Sequence, residues 1–106
     1  MNKFGKFLKK EISKNKLSQN KFAVKIGVSS YYLGQLIKGE KRPPSRELQL
    51  KIVDILNLNE EKKIEFLDLI AKEKCDIPSD IYNGVINNKN KWNEVREILN
   101  KGDKND

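Results

Sequence analysis

Residues 17–45 read LSQNKFAVKIGVSSYYLGQLIKGEKRPPS, and this stretch decides the fold. Ser18 is a suitable N-cap for a helix that turns Phe22, Ala23 and Ile26 inward, because a serine hydroxyl satisfies an amide left free in the first turn. Gly27 follows the last of these apolar residues, where a left-handed C-terminal turn is easiest for glycine. Ser29 caps a second helix with Leu33, Leu36 and Ile37 as its buried positions, and Gly39 stops it. Glu40 to Pro44 then form a loop in which the prolines forbid helix continuation. Two helices that cross steeply through a short turn need three things. These are a small residue where the backbones approach, a glycine in the turn, and apolar anchors on both helices. Ala23, Gly27 and the set Phe22, Ile26, Val28, Leu33 and Leu36 supply them. An ordinary three-helix core would place apolar residues similarly; the alanine–glycine spacing beside basic flanks sets this stretch apart.

Working outward, Phe4, Phe7, Leu8 and Ile12 recur at helical spacing among Lys3, Lys6, Lys9 and Lys10, which predicts an amphipathic helix ending near Asn15. Ser45 caps a helix to about Leu56 with Leu48, Ile52, Ile55 and Leu56 on its apolar face. Asn59 caps another to about Lys74, with Glu60 and Glu61 near its positive N-terminal end. That helix carries Ile64, Phe66, Leu67, Leu69, Ile70 and Ala71, a surface wide enough to predict two covering neighbours. Pro78 breaks the chain within 76–80. A short helix with Ile81, Tyr82, Val85 and Ile86 follows, then a polar break at 87–90 and a last helix with Trp92, Val95, Ile98 and Leu99. No strand-like alternation occurs, so the expected class is all-α. The expected division is a helix-turn-helix unit over 1–58, a helical extension over 59–100, and a disordered tail over 101–106.

Length and composition narrow the functional classes. A chain of 106 residues suits one small domain with an appendage. Its net charge of +7 is unevenly spread. Residues 1–51 hold 13 Lys/Arg against 3 Asp/Glu, and residues 52–106 hold 9 against 12. Such segregation predicts one polyanion-facing surface and a second surface with another task. A general abundance of lysine would not segregate in this way. One cysteine, Cys75, excludes an internal disulfide, and the lack of histidine leaves a metal site without its usual ligands. No glycine-rich phosphate loop or nucleophile–base pair is present, so no enzyme and no cofactor are expected. Asp68, Glu73, Asp76 and Asp80 match no calcium-loop spacing. No apolar run approaches the roughly 20 residues that span a bilayer, and no secretory h-region follows the N-terminus. A cytoplasmic protein is expected.

Leu17-Ser18-Gln19, Phe22-Ala23, Ile26-Gly27-Val28-Ser29, Leu33 to Ile37, Gly39 and Pro44-Ser45 together resemble the lambda-repressor-like (Cro/XRE) helix-turn-helix regulators. The resemblance covers about residues 3–58 and implies a five-helix DNA-binding domain followed by a short helical C-terminal extension. It also implies that the Ser29–Lys38 helix lies in the major groove of double-stranded DNA. Carried over by position, Ser30, Tyr31 and Gln35 read base edges. Gln35 is the best suited chemically, since glutamine pairs bidentately with adenine N6 and N7. Tyr31 and Tyr32 depart from the small polar residues usual there. Their rings either pack on a thymine methyl with the hydroxyls reaching phosphate, or lie half-buried against the preceding helix. Gly34 departs too, and reflects either close approach to DNA or tolerance at an exposed site. Gln19, Ser29, Tyr32, Lys38, Lys41, Arg42 and Arg46 fall where the resemblance places contacts to the DNA backbone, which fix register rather than sequence.

The acidic second half departs from the minimal domain. Trp92, Val95, Ile98 and Leu99 are expected either to form a dimer or partner interface or to fold back over the fifth helix. The resemblance implies a homodimeric transcriptional regulator, a repressor on an inverted repeat, in keeping with the symmetry of paired half-sites. The alternatives are an antitoxin that uses the same fold to autoregulate and binds a toxin through its C-terminal helices, and an accessory factor that binds DNA for an architectural purpose.

Overall fold

The computed structural model describes residues 2–104. Among them the chain forms α1 (Lys3–Lys14), α2 (Gln19–Ile26), α3 (Ser30–Lys38), α4 (Arg46–Ile55), α5 (Glu60–Lys74), α6 (Ser79–Ile86) and α7 (Trp92–Lys104), with a single 3-10 turn at Lys89–Lys91. Every regular element in the described residues is helical. The first five helices begin at side-chain caps. Asn2, Ser18, Ser29, Ser45 and Asn59 each accept the amide hydrogen three residues on, at 2.8 to 3.3 Å. Each such cap stabilises its helix by about 1 kcal/mol, and together they set where the short helices start.

Two helix ends are set by left-handed glycines. Gly27 has φ of 77°, and Val28 N–H returns to the Ala23 carbonyl at 3.0 Å. Gly39 has φ of 81°, and Glu40 N–H returns to the Gln35 carbonyl at 2.9 Å. Both are six-to-one closures that satisfy carbonyls left free at a helix end.

One hydrophobic core holds the molecule together. Phe4, Leu8 and Ile12 of α1 meet Phe22, Ala23 and Ile26 of α2, and Leu33, Leu36 and Ile37 of α3. Ile52 and Leu56 close the core from the α4 side, and Phe66, Leu67 and Ile70 from α5. Phe66 stacks against Phe7, with ring centroids 5.6 Å apart, and tilts against Phe4 at 5.8 Å. The division expected after Leu58 therefore falls between helices that share this core. Burying Phe66 and its neighbours makes α5 part of the same packed unit rather than the start of an extension.

Three further differences have simple causes. The two-sided cover expected for α5 is incomplete, because Ile64 stays exposed and Leu69 is half-buried; α1 and α6 pack against this helix and leave those positions uncovered. Gln49 is buried at 3% exposure although it is polar, because it shares the inward stripe of Ile52 and Leu56 on α4. The disordered tail expected over 101–106 is replaced by helix through Lys104, since no proline interrupts the turn that carries Ile98 and Leu99. Residues 105 and 106 of that stretch lie outside the described residues. No helix is long and apolar enough to cross a membrane among the described residues.

Two glycines inside helices make opposite predictions. A Cβ at Gly5 would overlap the Ile37 carbonyl where α1 crosses the end of α3, whereas one at Gly34 would meet nothing within 4 Å. Gly5→Ala is expected to destabilise by about 1–3 kcal/mol through forced displacement of packed helices. Gly34→Ala should stabilise by about 0.5–1 kcal/mol through helix propensity. Urea denaturation of the two variants would read both signs, and a neutral Gly5→Ala would contradict the close approach of α1 and α3.

Candidate nucleic-acid interface

The exposed side of α3 follows from its buried side. Leu33, Leu36 and Ile37 are held in the core, which turns Ser30 and Tyr31 to solvent and leaves Gln35 at its edge. Tyr31 is 75% exposed, and its hydroxyl accepts a hydrogen bond from Gln35 Nε2 at 3.1 Å across one helical turn. The Tyr31 hydroxyl keeps its own hydrogen as a donor, and the Gln35 amide oxygen remains an acceptor. The pair thus presents a donor and an acceptor side by side on a rigid helix face. The two tyrosines take different places. Tyr31 projects outward, whereas Tyr32 is half-buried and packs against the core.

The end of α3 and the loop after it carry cations that form no ion pair among the described residues. Lys38, Lys41 and Arg42 are all exposed and enter none of the ion pairs formed among the described residues. Gln19 is exposed at the start of α2. Ser29 already caps α3 through its oxygen, which accepts from Tyr32 N–H at 3.0 Å and leaves its hydroxyl hydrogen to donate outward. Such a surface offers neutral hydrogen-bonding groups on a helix that can enter a groove, flanked by charges suited to phosphates.

Arg46 differs from expectation. Its guanidinium donates to Asp76 Oδ1 at 3.0 Å and to the Ile77 carbonyl at 3.4 Å, and it lies 3.8 Å from the centre of the Tyr82 ring. These contacts commit Arg46 to the α5–α6 junction, so its charge is taken up within the protein. Asp76 also accepts the Ile77 amide at 2.7 Å. The Arg46 hydrogen bond first, and this amide second, hold the Asp76 carboxyl below its ordinary value. The associated stabilisation is complete at neutral pH and is lost only as pH falls below the usual aspartate range.

The C-terminal set is divided as well. Trp92 is half-buried, and its indole Nε1 donates to the Val85 carbonyl at 2.6 Å. Val95 is also half-buried and lines a shallow cleft with Ile81 and Val85. These two residues fasten α7 to α6, whereas Ile98 and Leu99 remain 68% and 63% exposed. Ile77, Ile81 and Ile86 add exposed apolar surface nearby in the sequence. α5 is not among the principal neighbours of α7, which packs chiefly on the 3-10 turn and is tied to α6 by the Trp92 indole.

Gln49 and Ser79 were not singled out by sequence reasoning, and Asp76 and Tyr82 were read there only as a mismatched metal ligand and an apolar helix residue, yet the four hold the segment that follows Lys41 and Arg42. Gln49 had a visible signal, a lone amide at positions 49, 52 and 56 of an otherwise apolar stripe. Ser79 had none, because its partner is 30 residues away. Among the described residues no three Cys, Asp or Glu side chains converge as metal ligands.

The Helix-turn-helix family model matches residues 8–63, a span that includes α2, the turn and α3 whole. No curated protein and no solved structure matches the chain.

The two arginines beside the loop separate cleanly in this geometry. Arg46→Ala is expected to lower stability by about 1 kcal/mol through loss of the contact with Tyr82 and of its packed stem. Arg42→Ala, at an exposed position without an ion-pair partner, should stay within about 0.5 kcal/mol of the wild type. Thermal melts of both variants at neutral pH would test this, and equal melting temperatures would remove the role given to Arg46.

Proposed function

The chain belongs to the lambda-repressor-like (Cro/XRE) helix-turn-helix family of DNA-binding regulators, and we propose that it is a transcriptional repressor binding an inverted repeat as a homodimer. The observation that carries this reading is the solvent-facing edge of α3, where Tyr31 and Gln35 are joined by a hydrogen bond and Ser30 is exposed, followed in the chain by the exposed cations Lys38, Lys41 and Arg42. In this reading α3 enters the major groove. Gln35 exchanges its bond to Tyr31 for a bidentate pair with adenine, and Ser30 and Tyr31 meet neighbouring base edges. Gln19, Ser29, Lys38, Lys41 and Arg42 hold phosphates on either side and set the register. Tyr32, packed against the core, positions α3 from behind and offers its hydroxyl at the groove wall.

The homodimer is supported by Ile98 and Leu99, two large apolar side chains left in water on α7. Covering them against the same face of a second copy satisfies the two-fold symmetry that paired half-sites require. Trp92 and Val95 then act as the base that holds α7 in place. The antitoxin alternative uses the same α3 and differs only in what covers Ile98 and Leu99, namely a toxin rather than a second copy. A chain that is dimeric by light scattering when purified alone supports the repressor reading. A monomer that is recovered only with a co-expressed toxin supports the other.

Selection of duplexes from a random pool is expected to return a pseudo-palindrome with half-sites about one helical turn, 10–10.5 base pairs, apart. Gln35→Ala should relax the preference at one position in each half-site, costing about 1–3 kcal/mol of discrimination. Arg42→Ala should weaken all duplexes alike and reduce the salt slope of binding by about 0.9. An unchanged selected motif with Gln35→Ala would remove that residue from base reading. Ile98→Lys combined with Leu99→Lys should yield a monomer that still melts cooperatively.

A further inference from the structure

We infer that Gln49 and Ser79, seconded by the Arg46–Asp76 pair, are positioning residues for DNA binding: they make α6 a working part of the DNA-binding unit by fixing the loop that presents Lys41 and Arg42. This rests on the reading above that those two cations meet phosphates. The chain of contacts is continuous. Ser79, in the first turn of α6, donates its hydroxyl hydrogen to Gln49 Oε1 at 2.6 Å, and both side chains are buried, at 1% and 3% exposure. With its oxygen so occupied, the Gln49 amide can face only one way, and its Nε2 donates to the Pro44 carbonyl at 2.9 Å. Lys74 Nζ at the end of α5 approaches the same carbonyl at 3.5 Å.

Pro44 is itself fully buried, so the loop leaving α3 is tied down at one fixed point. Two consecutive prolines transmit that constraint, because each locks its own φ near −65° and Pro43 also restricts Arg42 before it to extended backbone. Arg42 and Lys41, next along the chain, are exposed, and the restriction on Arg42 narrows the conformations that its backbone can take. The second tie lies just beyond the loop, where Arg46 begins α4 and is clasped by Asp76, the Ile77 carbonyl and the Tyr82 ring. Both ties end on residues 76–82, a region outside the segment of the chain that matches the family. The Gln49–Ser79–Pro44 part of this network has its polar atoms paired, whereas Arg46 Nε at the second tie is buried without a hydrogen-bond partner, so the first tie is the firmer anchor of the loop.

A double-mutant cycle on duplex binding by the full-length chain tests the inference, with salt dependence and thermal melting read on each variant. Ser79→Ala is expected to weaken binding about threefold to tenfold in the wild-type background. In a Lys41→Ala/Arg42→Ala background the same change should cost less than about twofold, since the contacts it positions are already gone. An equal loss in both backgrounds would show general destabilisation and overturn the inference. No loss from Ser79→Ala, with Lys41→Ala/Arg42→Ala still weakening binding, would overturn it while leaving the phosphate contacts intact. If Lys41→Ala/Arg42→Ala itself had no effect, the contact reading and the inference would fall together. Should Ser79→Ala not fold, Asp76→Asn at the exposed end of the clamp replaces it in the same cycle. Removing a negative charge there would by itself tighten DNA binding, so weakened binding supports positioning and tightened binding overturns it.

Discussion

The tight packing of α2 against α3 across a short turn is the constraint on which the rest of the molecule depends. Ala23 is fully buried between these helices, and a larger side chain there would hold their backbones apart. Four residues later Gly27 takes a left-handed conformation that a residue with a Cβ adopts at a cost of roughly 1–2 kcal/mol. The Val28 amide then closes on the Ala23 carbonyl, so the turn is sealed within three residues and Ser29 can begin α3 at once. Because the turn is so short, the burial of Leu33, Leu36 and Ile37 alone decides which side of α3 meets water. Tyr31 is outside and Gln35 lies at the edge because three neighbours are inside.

The rest of the core holds that packing without adding to the exposed face. α1 and α5 contribute aromatic surface through Phe4, Phe7 and Phe66, and α4 closes the opposite side with Ile52 and Leu56. Polar groups admitted to the interior are few and specific. Gln49 and Ser79 satisfy one another and the Pro44 carbonyl, so the interior keeps its hydrogen bonds while the loop after α3 gains an anchor. Positive charge is divided between two tasks. Lys38, Lys41 and Arg42 remain free at the surface, whereas Arg46 is spent on joining α4 to the α5–α6 junction. Arg42 in the loop and Arg46 at the start of α4 therefore have unlike surroundings, and the position of a distant aspartate separates them.

Most of the fold was legible in the residues because its signals are local. Ser18, Ser29, Ser45 and Asn59 announce helix starts by chemistry that acts over three residues, and Gly27 and Gly39 announce stops in the same way. Legibility failed where one residue could serve two neighbours. Trp92 and Val95 had the spacing of an outward-facing stripe, yet they pack on α6, because an indole N–H needs an acceptor and Val85 supplies one. A polar turn such as the one after Leu58 marks the end of a helix but does not show whether the next helix packs on the same core, as α5 does.

The sequence by itself determined the all-helical architecture, the helix pair joined by a short turn and the segregation of positive charge into the first half. Periodicity, caps and turn glycines act through neighbours in the chain, so they can be read along it. Only the tertiary structure decided how Phe66 of α5 seats against Phe4 and Phe7, that Arg46 faces Asp76 and Tyr82, and that Ser79 fixes Gln49 against Pro44. Gln49 and Pro44 apart, those partners are 30 or more residues distant in the chain, and no local rule specifies which of many carboxylates or hydroxyls a side chain will meet once the helices have packed.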